Sequence, residues 1–130
     1  MSVGPISKKE VDSFILNEIE SVPHIEALLI LRNRRSEAFS IEQIAAQLYI
    51  PPESAQNILQ DLVRRALVTS LSEEDSRYQY FSSPEREALM QEVEITYRRE
   101  LVRVANMIHS KASNAVRDFA RAFRITKEKD

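Results

Sequence analysis

Residues 40–68 read SIEQIAAQLYIPPESAQNILQDLVRRALV, and this stretch decides the fold. Ser40 and Gln43 have the spacing of a capping box, in which residues three apart satisfy each other's free N–H groups at a helix start. Ile41, Ile44, Ala45 and Leu48 follow at helical spacing. Tyr49-Ile50-Pro51 reads as a turn. Pro52 suits a first helical turn, where a missing N–H costs nothing. The helix it opens is expected to run to about Ala66 and to bury Ala55, Ile58, Leu59 and Leu62, with Val63 at the edge of that face. Leu67 to Leu71 then changes to a strand-like pattern.

Reading outward towards the C-terminus, Arg77-Tyr78-Gln79-Tyr80-Phe81 is a second strand-like run. Ser72-Glu73-Glu74-Asp75-Ser76 between the two predicts the tip of an antiparallel hairpin. Ser83-Pro84-Glu85 is a cap, a first-turn proline and an acidic first turn, the start of another helix. Met90, Val93, Tyr97, Leu101, Val104 and Ile108 form its long apolar stripe. A break is expected between His109 and Asn114, where Ser110, Ser113 and Asn114 are weak helix formers. A last short helix carries Val116, Phe119 and Phe123, and the charged tail from Thr126 to Asp130 is expected to fray.

Towards the N-terminus, Ser36 to Phe39 suits a brief strand. Pro23 to about Asn33 suits a helix capped by Ser21, burying Ile25, Leu28, Leu29, and Leu31 or the stem of Arg32. Lys8 to Glu20 predicts a helix with Val11, Ile15, and Ile19 or Leu16 inward, and with Ser7 and Glu10 as a capping box. The result is a mainly α chain: a three-helix core with a β-hairpin wing at 21–83, an N-terminal helix at 1–20 and a C-terminal helical extension at 84–130.

Bulk composition excludes several functions. There is no Cys, hence no disulfide, thiolate site or cysteine nucleophile. The single glycine is Gly4, so a glycine-rich phosphate loop is excluded. The start of the chain, MSVGPISKKEVDSF, has no run of signal-peptide length, and the longest apolar run, Ala27 to Leu31, is too short to span a bilayer. A cytoplasmic, membrane-free protein is expected. Hydrophobic residues make up 43%, enough for a core. Net charge is −2 and unevenly spread: residues 1–83 carry 8 Lys/Arg against 12 Asp/Glu, and residues 84–130 carry 10 against 8.

The order helix, short strand, helix, turn, helix, hairpin resembles the winged helix-turn-helix superfamily, such as the MarR-like and ArsR-like bacterial transcriptional regulators. Residues 40–48 are similar to the supporting helix of that family. Residues 50–68 are similar to its recognition helix and the exit into the wing, and Tyr78 to Phe81 to the returning strand. The C-terminal helices resemble extensions of small bacterial proteins of this type. The resemblance implies double-stranded DNA as partner, with the third helix in the major groove and the wing on the backbone.

Carried over by position, Glu53, Ser54, Gln56, Asn57 and Gln60 would face the groove, and Arg64, Arg65 and Arg77 would meet phosphates. Gln and Asn are suited to bidentate reading of adenine. A homodimer through Tyr97, Leu101, Val104, Ile108, Phe119 and Phe123 is expected. Three features depart from the family's pattern. The third helix has no Lys or Arg before Arg64 and carries Glu53 and Asp61. The wing tip, Glu73-Glu74-Asp75, is acidic. Pro51 stands where a side-chain cap is customary. These departures keep a second reading open, a winged-helix module that binds a protein partner instead of DNA. His24 and His109 read as capping, packing or dipole-compensating residues. No spacing points to a metal, a cofactor or catalysis.

Overall fold

The structure is a computed structural model that describes residues 5–72 and 76–128; the side chains of Ser72, 112–119 and 123–128 lie outside the description. In chain order the elements are α1 (Lys8–Glu18), α2 (Val22–Asn33), β1 (Phe39–Ser40), α3 (Ile41–Leu48), α4 (Pro52–Arg64), β2 (Val68–Ser72), β3 (Arg77–Tyr80), α5 (Pro84–Arg99) and α6 (Leu101–Glu128). The expected order of elements is present. The strands form one antiparallel sheet in the order β1-β3-β2, with Phe39 opposite Tyr78 and Val68 opposite Tyr80.

Local chemistry explains the helix starts. Ser40 Oγ accepts from Gln43 N–H at 3.1 Å while Gln43 Oε1 accepts from Ser40 N–H at 2.8 Å, a complete capping box. Ser21 and Ser83 cap α2 and α5 through the N–H groups of His24 and Arg86. At α1 only half of the expected box forms. Ser7 accepts from Glu10 N–H, but Glu10 Oε1 takes the Ser7 hydroxyl instead of its N–H.

The centre of the core is built by α2, α3 and α4, where Ile25, Leu28, Leu31, Ile44, Leu59 and Leu62 are fully buried. Both Leu31 and Arg32 turn inward. Helix α1 lies against α5 and α6, with Phe14 inward as well as Val11, Ile15 and Ile19, while Leu16 stays largely exposed.

Several boundaries differ from expectation. Helix α4 ends at Arg64, with Ala66 in the left-handed region at φ 59°. Tyr49 makes the turn after α3 at φ 57°. With no glycine at either site, an Ala and a Tyr take backbone conformations that β-carbons disfavour. The first strand starts at Phe39 instead of Ser36, because Arg34 to Glu37 forms a turn closed by Glu37 N–H on Arg34 C=O at 2.9 Å.

The largest correction concerns the C-terminal helices. The break lies at Glu100 (φ −125°, ψ 46°), and α6 then runs unbroken through Ser110, Ser113 and Asn114 to Glu128. Glu100 N–H still bonds Thr96 C=O, and its own C=O accepts from Val104 N–H, so one residue ends α5 and begins α6. Its carboxylate accepts from Lys8 and Arg103, which anchors the joint to α1. Weak helix formers cost only about 0.7 kcal/mol each at most, and no Gly or Pro interrupts residues 101–128. For the same reason Thr126 is helical instead of frayed. No helix among the described residues is long and apolar enough to cross a membrane.

Candidate nucleic-acid interface

Helix α4 presents two different sides. Ala55, Ile58, Leu59 and Leu62 are buried against α2 and α3. Ser54, Gln56, Asn57 and Gln60 are exposed, as is Glu53. The helix starts at Pro51 without a side-chain cap, as its sequence predicts. Between α4 and the hairpin runs an open groove of about 570 Å³, bordered by Asn57, Gln60, Arg64, Ser70 and Tyr78. Asn57 and Gln60 therefore line a concave surface whose other wall is the wing, while Ser54 and Gln56 are exposed on the same helix.

The arginines divide sharply. Arg64 is exposed, and its guanidinium pairs with Asp61 one turn back. Arg65, the next residue, turns towards α1. It donates to Asn17 C=O at 2.8 Å and pairs with Glu18 at 3.2 Å and Glu20 at 3.0 Å. Its expected place among the phosphate contacts is thus corrected. As the C-cap of α4 it lies beside α1 and is consumed by acidic residues there. Arg77 is exposed on β3, and among the described residues its side chain makes one long bond, to Ala38 C=O at 3.5 Å. The acidic tip at Glu73, Glu74 and Asp75 lies outside the described residues.

Two polar clusters position these surfaces. In the first, Arg32 is nearly buried and bonds Glu87 through Nε (3.1 Å) and a terminal nitrogen (2.7 Å), and Glu94 through the other (2.5 Å). Tyr80 of β3 donates its hydroxyl to Glu87 at 2.7 Å, and Arg35 reaches Glu87 at 3.1 Å while lying over the Tyr80 ring. Burial pushes the Glu87 and Glu94 carboxyls up, but hydrogen bonds outweigh it and hold both below the usual range: Tyr80 and Arg32 act on Glu87, Arg32 and Arg98 on Glu94. The wing's return strand is thereby tied to α2 and α5.

In the second cluster His24 joins α2 to α4. Its Nδ1 lies 2.5 Å from Ser21 Oγ and its Nε2 2.9 Å from Asp61 Oδ2. Burial lowers the imidazole pKa, against the pull of Glu20. Packing and bridging describe His24, as its first-turn position suggests, while His109 is exposed.

The residues expected at a dimer contact separate into three groups. Val104 and Ile108 are buried in the single chain's own core and have no surface to offer a second chain. Tyr97 is buried too, donating its hydroxyl to Glu26 at 2.6 Å. The expectation failed for these three because the α1 helix and α2 cover the stripe from within the chain. Leu101 is about half exposed (49%), next to Val102 at 73%. The side chains of Phe119 and Phe123 lie outside the described residues. Arg98 pairs with Glu94, and Arg103 with Asp12 and Glu100.

No family model matches the sequence, and no curated protein matches it as a relative. Solved structures do resemble it. A MarR family protein from Bacillus stearothermophilus is 19% identical, with 94% of this chain and 83% of that one covered at a TM-score of 0.51. MepR, a transcription regulator of the Staphylococcus aureus multidrug efflux pump MepA, is 12% identical, with 92% and 89% covered and a TM-score of 0.52. The heme sensor PefR from Streptococcus agalactiae, solved with heme, is 16% identical, with 88% and 84% covered and a TM-score of 0.50. The chain thus shares a winged helix-turn-helix fold with these structures.

Proposed function

We propose that the chain is a DNA-binding transcriptional regulator of the MarR-like type, acting in the cytoplasm as a homodimer. The observation that carries this reading is α4, whose Ser54, Gln56, Asn57 and Gln60 are exposed and whose Asn57 and Gln60 line the groove to the wing. An α-helix fits the major groove, and amide side chains match adenine there. Arg64 and Arg77 supply phosphate contacts at the end of the helix and on the wing. The second copy joins through α6. That helix is about 42 Å long at 1.5 Å per residue, and Lys111 bonds α1 carbonyls little beyond its first third. Leu101 and the Phe119 and Phe123 positions are the contact.

Anisotropy titration against a random duplex pool, with enrichment, tests this. Micromolar or tighter binding that weakens with salt is expected, because Lys and Arg release counterions from the phosphates. Arg64→Ala and Arg77→Ala should each reduce the salt slope by about 1, whereas Arg65→Ala should leave it unchanged. Gln56→Ala or Asn57→Ala should cost about 1–3 kcal/mol on the enriched site alone. Phe119→Asp should shift sedimentation from dimer to monomer.

One specific observation favours a protein partner instead. With Arg65 turned away, α4 keeps one outward arginine against Glu53, and a carboxylate facing a phosphate is repulsive. Absence of duplex binding at low salt and micromolar protein would transfer the same polar surface to a basic protein.

A further inference from the structure

Among the described residues, one grouping has the donor atoms of a metal site: Glu20, His24 and Asp61, whose nearest ligand atoms all lie within 4.8 Å of one another. They come from three places, the α1–α2 joint, the first turn of α2 and the third turn of α4. His24 Nε2 stands 2.9 Å from Asp61 Oδ2 and 4.0 Å from Glu20 Oε2.

The outer atoms of all three groups are held elsewhere. Asp61 gives its other oxygen to Arg64, and Glu20 gives its other oxygen to Arg65 at 3.0 Å. The second imidazole nitrogen is held by Ser21 Oγ. Each group therefore turns its remaining donor atom to one point. This is the arrangement in which outer-sphere partners orient the ligands and fix which imidazole nitrogen carries the lone pair. Ser21 Oγ can accept Nδ1–H, and an ion on Nε2 would replace its present hydrogen bond to Asp61 Oδ2.

We infer that Glu20, His24 and Asp61 form a binding site for a divalent zinc ion, with water as fourth ligand. A nitrogen and two carboxylate oxygens suit Zn²⁺ at about 2.0–2.2 Å, which sets tetrahedral donors roughly 3.4 Å apart. The observed 2.9 and 4.0 Å bracket that spacing. The Glu20 side chain, 45% exposed, has room to close the longer gap, and Asp61 and His24, at 15% and 10%, form the fixed wall. Arg64 and Arg65 already neutralise the two carboxylates, so zinc competes with their charge for these ligands. Bound there, the ion would fasten the C-terminal half of α4 to the α1–α2 joint. The site rests on the geometry of the protein alone and is tested without DNA, so its failure and that of the proposed function are distinguishable.

The experiment is a zinc titration of tag-free, chelator-treated protein by equilibrium dialysis, with the two histidine rings followed by NMR. One zinc per chain is expected, with the His24 ring signals shifting and those of His109 unchanged. Glu20→Gln, at a part-exposed position, should weaken binding by about ten-fold or more, and His24→Gln should abolish it. His109→Ala should have no effect. Lack of binding up to roughly 100 µM zinc, unchanged affinity in Glu20→Gln, or loss of binding in His109→Ala would each overturn the site. Should His24→Gln fail to fold by circular dichroism, Glu20→Gln and the ring signals decide the matter.

Discussion

Two ionic clusters hold this molecule's flanks, and they look alike on paper. One centres on Arg32, which joins α2 to Glu87 and Glu94 of α5 and, through Tyr80, to the wing. The other centres on Arg103, which joins α6 to Asp12 of α1 and to Glu100 at the α5–α6 joint, where Lys8 also arrives. Each arginine bonds two carboxylates. They differ in water: the side chains of Arg32 and Glu94 are 10% and 12% exposed, whereas those of Arg103 and Glu100 are 35% and 36% exposed. Charges taken from water and then deprived of a partner are expensive, and charges left in water are not. Burial, more than the number of bonds, should therefore rank the two.

The largest effect expected is from Arg32→Met. It leaves Glu87 and Glu94 without their main cation, and breaking such a buried pair costs about 3–5 kcal/mol. Thermal unfolding should fall by roughly 10–20 °C for a chain of this size. A fall of only a degree or two would place Arg32 with the solvated pairs and erase the distinction. Glu94→Gln is milder, because Glu87 still balances Arg32. A loss of about 1–3 kcal/mol is expected, that of one charged hydrogen bond.

Acid sharpens the comparison. The Glu87 and Glu94 carboxyls are held below their ordinary range, so the stability they contribute is present above the unfolded value. It is lost as pH falls below about 4.5 and through the folded values. In Arg32→Met one of the groups that hold these carboxyls down is gone, while Tyr80 and Arg35 still face Glu87 and Arg98 still faces Glu94, so the folded values should rise towards the unfolded one. That variant should lose less stability than the parent on acidification, so its deficit should narrow. Unfolding midpoints measured between pH 7 and about 3 check this; a constant deficit would mean the two carboxylates are not coupled to Arg32.

The difference between the clusters also marks what a sequence shows. Ser40, Gln43, Pro52 and Ser83 made the winged core legible, because caps and first-turn prolines act on neighbours three residues away. The polar side of α4 was legible for the same reason. Arg32 and Glu94 stand 62 positions apart, and His24 and Asp61 37 apart. No local spacing encodes those meetings, so the buried network and the zinc-ligand grouping emerge only once α2, α4 and α5 are packed. Arg64 and Arg65 show the same limit within one dipeptide. They are equal in sequence, yet a rotation of about 100° per residue sends one to the groove and the other to α1. The misplaced helix break has another cause. Ser110, Ser113 and Asn114 disfavour a helix only weakly, while the joint at Glu100 depends on Lys8 and Arg103 arriving from outside.

The smallest effect belongs to the solvated cluster and is the more demanding test. Arg103→Met removes four hydrogen bonds to Asp12 and Glu100 but keeps a long apolar stem over the α1 surface. Exposed pairs of this kind contribute about 0.2–1 kcal/mol, and less at high salt, where the Debye length at 1 M shrinks to about 3 Å. The variant should lie within that range of the parent in dilute buffer and become indistinguishable from it in molar sodium chloride. Under the same salt the Arg32→Met deficit should persist, because its charges are screened by protein instead of by ions. A salt-resistant loss at Arg103 would mean that the α1–α6 contact excludes water as thoroughly as the α2–α5 contact does.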